Sequence, residues 1–260
     1  MASAEPPSSA ADDPEATNPM RAAQRLARSE LPKRFYAAAT VAPAEGGFAI
    51  LLDGRAVKTP AKRPLVVASR GIAEALAAEW QAQRERIDPG TMPLTRIVNA
   101  AIDRVAEEMP AVRASIVSHA GSDLICYRAE GPEGLVKAQE AAWGPLVAFA
   151  RDDLGARLIL AEGIVHARQS EAALAAVDRA LEPYDPVALA AIHTITTLTG
   201  SAVIAVAVAR GRLTPEAAWA AAHVDEDWQM SLWGRDEMAL AHRAARFNEM
   251  AAAGLILRAI

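Results

Sequence analysis

The sequence predicts an α+β fold, with a small N-terminal antiparallel β domain packed on a larger, mostly α-helical C-terminal domain. Three observations lead there. Residues 34 to 68 are dense in strand and turn signals around an Asp53-Gly54 pair, the kind that closes two-residue hairpins. From Ser69 onward, apolar residues recur at helical spacing instead. Alanine fills nearly a quarter of the 260 residues, which favours helix. The larger apolar side chains are ordinary in number, and the length is ample for a real core.

Met1 to Met20 is mostly Ala, Pro, Ser and acid, with no Lys or Arg before Arg21. That is neither a secretory signal nor an Arg-rich presequence. Residues 1–32 are therefore expected to form a solvated tail. The β domain is expected over 33–68. Phe35 to Val41 supplies a strand, Pro43 to Gly47 a turn, and Phe48, Ile50 and Leu52 a weakly alternating strand. After Asp53-Gly54, Arg55 to Thr59 reads as the return strand, and Leu65 to Ala68 as one more.

The helical domain is expected over 69–260. Ser69 is a plausible N-cap for a helix carrying Ile72, Leu76, Trp80 and Gln83 on one stripe, stopped by Asp88-Pro89-Gly90. Helices follow over Pro93–Ala106 and Pro110–His119. Ser122–Arg128 reads equally as strand or helix entry. Pro132–Leu154 is a long helix, with Gly155 as its stop. Arg157–Ile164 looks β-like, and Ser170–Leu181 is helical. Val187–Ala209 carries no formal charge but too many Thr and Ala for a membrane span. It reads as two buried helices broken near Gly200. Thr214-Pro215-Glu216 starts another helix with a cap, a proline and an acid in order. The last helix is expected to end near Ala252, before Gly254.

Chemistry is sparse. With 27 basic and 32 acidic residues the formal charge is −5, which argues against a surface built to grip nucleic acid. One cysteine, Cys126, excludes an internal disulfide and a cysteine-rich zinc site; it reads as a small buried residue. Lys58-Thr59 resembles a phosphate-loop ending, but Val57 stands where that loop needs glycine. The five histidines show no ligand spacing. The best metal candidate is His223 with Asp225, Glu226 and Asp227, for which a solvated acidic helix surface is the simpler account. No catalytic motif or cofactor loop is found.

One carboxylate stands out. If the final helix runs through Gly234, then Trp233, Glu237, Leu240, Ala244, Phe247 and Ala251 share a stripe on which Glu237 is the lone charge. Glu237 is then a stripe-edge residue paired to an arginine such as Arg243 or Arg246, or a structural cap, or a group presented to something else.

Four segments in sequence order carry a resemblance. They are Asp53-Gly54-Arg55 with Lys58-Thr59-Pro60; Glu79-Trp80, Gln83, Ile87, Met92, Thr95, Asn99 and Asp103; Asp123, Tyr127, Pro132, Leu135, Gln139, Trp143 and Pro145; and Trp233-Gly234 with Glu237. Together they resemble the assembly chaperone dedicated to the alpha subunit of the catalytic head of F-type ATP synthase, a family of mitochondria and alpha-proteobacteria. The resemblance spans about residues 33 to 253. It implies a binding protein without catalysis, cofactor or metal. Its partner would be the free alpha subunit, held on the surface that later meets the beta subunit. Neither nucleic-acid binding nor membrane insertion is implied, and a monomer is expected, cytoplasmic here and in the mitochondrial matrix for eukaryotic relatives. Glu237 matches the glutamate of the family's W-G-x-x-E motif and is implied to meet the partner, with Trp233 of the same motif and Arg55 of the hairpin as further contacts. Asp53, Gly54, Trp80 and Asp103 match structural positions. Pro93 and the alanine-rich C-terminal helices depart from the eukaryotic members. The rival readings are an enzyme with a scattered site and a permanent subunit of a larger complex.

Overall fold

The computed structural model describes residues 31–163 and 167–260. Most of the tail expected over 1–32, and the end of the β-like stretch at Ile164, lie outside the described residues. The described chain forms two compact units. The smaller one joins residues 31–35 to Gln83–Asp88. It is tied by Arg34 N–H donating to the Glu85 carbonyl and Ile87 N–H to that of Pro32, both at 2.9 Å. Gln83 Oε1 accepts from Asp88 N–H at 2.8 Å, so the signature glutamine lies past the end of the helix whose stripe was expected to carry it and braces the segment Gln83–Asp88.

The larger unit, Tyr36–Ala82 with Pro89–Ile260, holds every named strand and helix and is α+β. Strands β1 (Ala39–Ala44), β2 (Gly47–Leu52), β3 (Arg55–Ala56) and β4 (Val66–Val67) form one antiparallel sheet centred on β2. β1 starts later than its sequence implied, and in register it pairs Ala39 with Leu52 and Ala44 with Gly47. Asp53 and Gly54 take the left-handed φ values of 47° and 80° that a two-residue hairpin turn requires. The return strand is shorter than expected: Val57 N–H still donates to the Ile50 carbonyl of β2 at 2.9 Å, but Lys58 then bridges to Pro64 instead of continuing along β2. Ile50 and Leu65 are fully buried beneath helix α1 (Arg70–Gln81). Ser69 caps α1 by accepting from Ile72 N–H at 3.5 Å.

Helix α2 (Pro93–Ala100) has no side-chain cap of its own at Met92. Glu79 supplies one from α1, its two carboxylate oxygens accepting from Leu94 N–H at 2.9 Å and Thr95 N–H at 2.7 Å. Beyond Ala100 the helix widens into one π-helical turn, Ala101–Val105. Helix α3 (Met109–Ala120) follows. Ser122–Arg128 resolves into a 3₁₀ turn, Leu124–Cys126, and a two-residue strand β5 (Tyr127–Arg128). After α4 (Glu133–Asp152), the β-like stretch contracts to β6 (Ala161–Glu162), which pairs with β5 in parallel.

Helices α5 (Glu171–Leu181), α6 (Pro186–Thr199), α7 (Ala202–Ala209), α8 (Pro215–Ala222), α9 (Val224–Trp233) and α10 (Glu237–Arg258) complete the unit. Gly200, at φ 70°, separates α6 from α7, and residues 202–208 of α7 are all buried. That explains the uncharged run without a membrane, and no described helix is long and apolar enough to cross one. Cys126 is buried, its thiol pushed up to about 12 by desolvation and then by Asp123.

Two expectations about the C-terminus are overturned. The final helix does not run through Gly234, which takes φ 92° and ends α9. Gly254 does not end α10 either, because the helix continues to Arg258. A Cβ at Gly254 would collide with the Pro215 ring, so this glycine permits the close crossing of α8 and α10.

Candidate partner-binding site

Most signature residues turn out to hold elements together. Asp103, on the π-helical turn, accepts from Thr59 Oγ–H at 2.5 Å and from Ala61 N–H at 3.0 Å. One carboxylate thus pins the loop after β3 to the helices, and the Ile102 carbonyl takes Arg63 Nη1 at 2.9 Å. Asp53 accepts from Ala37 and Ala38 N–H. Trp80 is half-buried, with its ring 6.0 Å from that of Tyr36, and Tyr36 O–H donates to its carbonyl at 2.7 Å.

Asp123 is fully buried. Its carboxylate accepts from Ile125 N–H at 3.3 Å and from Val203 N–H, the start of α7, at 3.1 Å. Desolvation pushes its pKa up to about 6 against the opposing hydrogen bonds from Ser201, Val203, Ile125 and Ala202. Gln139 joins α4 to α9, accepting from Ala129 N–H and donating to Asp225, and Trp143 Nε1–H donates to the Ala221 carbonyl at 2.7 Å.

The α9–α10 corner is different. Its base is fixed: Trp228 fills the space left at Gly134, where a Cβ would strike the indole. Arg243 pairs with Asp227 across the two helices, and Arg96 pairs with Glu249. Buried Met250, Ala253 and Ile256 seat the far half of α10. The tip is open. Leu232, Trp233 and Met238 are 56%, 80% and 81% exposed. Asp236 caps α10 through Met238 and Ala239 N–H.

Glu237 is exposed in the first turn of α10, where a negative charge suits the helix dipole. It makes no ion pair or side-chain hydrogen bond with any described residue. The arginine pairing fails, because Arg243 is taken by Asp227 and Arg246 donates to the Leu198 carbonyl, and the capping side chain of this helix is Asp236 instead. The predicted stripe fails with it: Ala244 is exposed and Phe247 only half-buried. Arg55 is exposed at the start of β3, likewise with no ion pair among the described residues. It stands on the sheet hairpin, and no hydrogen bond or ion pair joins it to the α9–α10 corner.

Between α9 and α10 opens a cleft of about 390 Å³, lined among others by His223, Glu226, Met230, Trp233, Asp236 and Arg243. His223 is 5% exposed. Its Nδ1 lies 2.7 Å from the Trp219 carbonyl, which can only accept, so Nδ1 carries the proton. Desolvation lowers its pKa, with Arg243 adding to the effect. Nε2 lies 3.9 Å from a Glu226 oxygen, beyond hydrogen-bonding reach. The metal candidate dissolves here: Asp225 is engaged by Gln139 and Asp227 by Arg243, and no metal-binding cluster occurs among the described residues.

The sequence marked Trp233 and Glu237 but missed the cleft. His223 and Glu226 were visible only as metal candidates, since the wall opposite them comes from a helix whose start depends on the break at Gly234.

The profile of the ATP12 chaperone protein family matches residues 33–151. Among solved structures, the chain is 50% identical to the Atu1473 protein from Agrobacterium tumefaciens, a candidate chaperone. That match covers 94% of this chain and 91% of the other, with a TM-score of 0.85. It is 40% identical to Atp12 from Paracoccus denitrificans, over 87% of this chain and 97% of that one, at a TM-score of 0.80.

Proposed function

The chain belongs to the ATP12 chaperone family, and from that premise we propose that it binds the free alpha subunit of the F-type ATP synthase catalytic head. As a member it is a chaperone of ATP synthase assembly. On our reading it covers the alpha surface that later meets the beta subunit and prevents self-association until the beta subunit takes its place. Subunits of a permanent ring carry large apolar interfaces, which aggregate when left open. The protein acts without catalysis, as a monomer, in the cytoplasm.

The observation that supports this most is the α9–α10 corner. A fixed base holds out Leu232, Trp233 and Met238, with Glu237 unpaired among them. Large exposed apolar side chains around an available charge are what a transient protein contact uses. Arg55 on the hairpin is a second contact in this reading.

The test is co-expression with the alpha subunit of the same organism, scored by soluble co-purification. Alpha subunit that is insoluble alone and soluble in a complex with this chain supports the reading. A chain that copurifies only with the finished catalytic head would make it a permanent subunit instead.

A further inference from the structure

The cleft beneath the exposed tip has its own chemistry. The acids Asp225, Glu226 and Asp227 sit in the first turn of α9, and Asp236 and Glu237 open α10. Of the two arginines in the wall, Arg243 is held by Asp227. Arg246 is held by the Leu198 carbonyl and lies 5.9 Å over the Trp219 ring. Asp225 is spent on Gln139. Glu226 keeps its carboxylate free of any hydrogen bond or cation, with its side chain 64% exposed.

Acidic residues alone would say little. The second observation is His223, which is nineteen-twentieths buried and whose Nδ1–H is already committed to the Trp219 carbonyl. Its Nε2 is therefore an unpartnered acceptor that looks into the cleft beside a Glu226 oxygen 3.9 Å away. This acceptor meets only the water of the cleft, and a charged donor would give it a stronger bond. Two acceptors side by side, one of them anionic, call for a forked cationic donor. The guanidinium group presents parallel N–H bonds in that form. Met230 and Trp233 line the same cleft and offer an apolar wall and an indole face for its stem and plane.

We infer that the α9–α10 cleft is a receptor for one arginine side chain presented by the partner protein, with Glu226 Oε and His223 Nε2 accepting from the guanidinium and Trp233 packing on it. This rests on the chaperone reading and deepens it: Glu237 and the apolar tip meet the partner's surface, while the cleft takes a single anchor from it. Charge decides the class at the acceptors themselves: of the two carboxylates lining the cleft, Asp236 is spent on capping α10, and Glu226 is left to meet a cation, with the exposed Arg235 beside the opening and Arg243 held by Asp227.

The experiment uses the full chain and three blocked tripeptides, Gly-Arg-Gly, Gly-Lys-Gly and the neutral isostere Gly-citrulline-Gly. The His223 ring ¹⁵N signals and Trp233 fluorescence are followed to about 10 mM peptide, above the ~1 mM Kd of a weak single-residue contact. Glu226→Gln, at an exposed side chain, is compared after its unfolding midpoint has been shown to equal the parent's. The arginine peptide is expected to shift His223 Nε2 saturably. Citrulline, or Glu226→Gln, should weaken the response about tenfold or more, and lysine should bind less tightly than arginine. No His223 shift, equal binding of citrulline, or an unchanged response in Glu226→Gln overturns the receptor. Capture of the alpha subunit is scored separately. Intact capture with a silent cleft removes only the arginine receptor, whereas a responsive cleft without capture removes the alpha-subunit reading.

Discussion

Replacing Asp123 with asparagine tests how the buried core of the larger unit is held. Its carboxylate is fully buried and caps α7 while tying that helix to the 3₁₀ turn. Asparagine keeps the shape and one acceptor oxygen but turns an NH₂ toward backbone N–H groups, at a cost of about 1–3 kcal/mol. It also removes the burial of a charge, which offsets that cost at neutral pH, so a single melt decides nothing. The pH dependence does. Burial raises the Asp123 pKa from 3.8 to about 6, so between those values the folded state holds more protons than the unfolded state. Stability from this group is fully present below the lower value and is lost as pH rises through about 6. Linkage makes the parent roughly 1–2 kcal/mol more stable at pH 5 than at pH 7 through this residue alone. Urea unfolding of parent and Asp123→Asn at both pH values isolates it, since other groups cancel in the double difference. The advantage of the parent over the variant should grow by that amount at pH 5. An advantage equal at both pH values, or larger at pH 7, would show that the hydrogen bonds outweigh burial and refute the reasoning.

The remaining predictions concern other joints and the open corner. Glu79→Gln loses a charged acceptor from the start of α2 and should cost about 1–2 kcal/mol, read from urea midpoints. Trp80→Ala should cost about 3 kcal/mol in the same assay, at the low end for a tryptophan because the ring is only half-buried; an unchanged midpoint would show that the ring packs on nothing. Gly134→Ala puts a methyl into the Trp228 indole and should destabilise by about 1–3 kcal/mol despite alanine's helix propensity, with a changed tryptophan spectrum. Glu237→Gln and Glu237→Lys, at an exposed position, should unfold within about 0.5 kcal/mol of the parent. Both should lose protection of the alpha subunit, the lysine variant more completely; a glutamine variant that protects fully, or a lysine variant that unfolds, would remove Glu237 from recognition.

What the sequence disclosed was local. Asp53-Gly54 sets its own turn, Ser69 and Thr214 cap helices that begin within three residues of them, and Gly200 breaks an uncharged run. Each effect acts over one or two turns of chain, where residue type and spacing carry the physics. The roles of Asp103 and Asp123 were hidden because their partners lie 42–44 and 80 residues away. Gly234 and Gly254 make the same point. One ends a helix through its backbone angle and the other sits inside a helix because Pro215 presses on it, whereas the periodicity reading runs through the first and stops before the second. Glu237 drew notice as a lone charge on a stripe that does not exist. Its exposure comes from the break at Gly234, so the residue was marked for a reason the structure replaces.

Hydrogen exchange on the purified complex with the alpha subunit, compared with each protein alone, tests the central claim most directly. The account predicts new protection over residues 229–240 of this chain, across the α9–α10 corner, and over the beta-facing surface of the alpha subunit, with the base of α10 unchanged. Protection confined to other faces of either protein, with Trp233 to Met238 exchanging as freely as before, would contradict it.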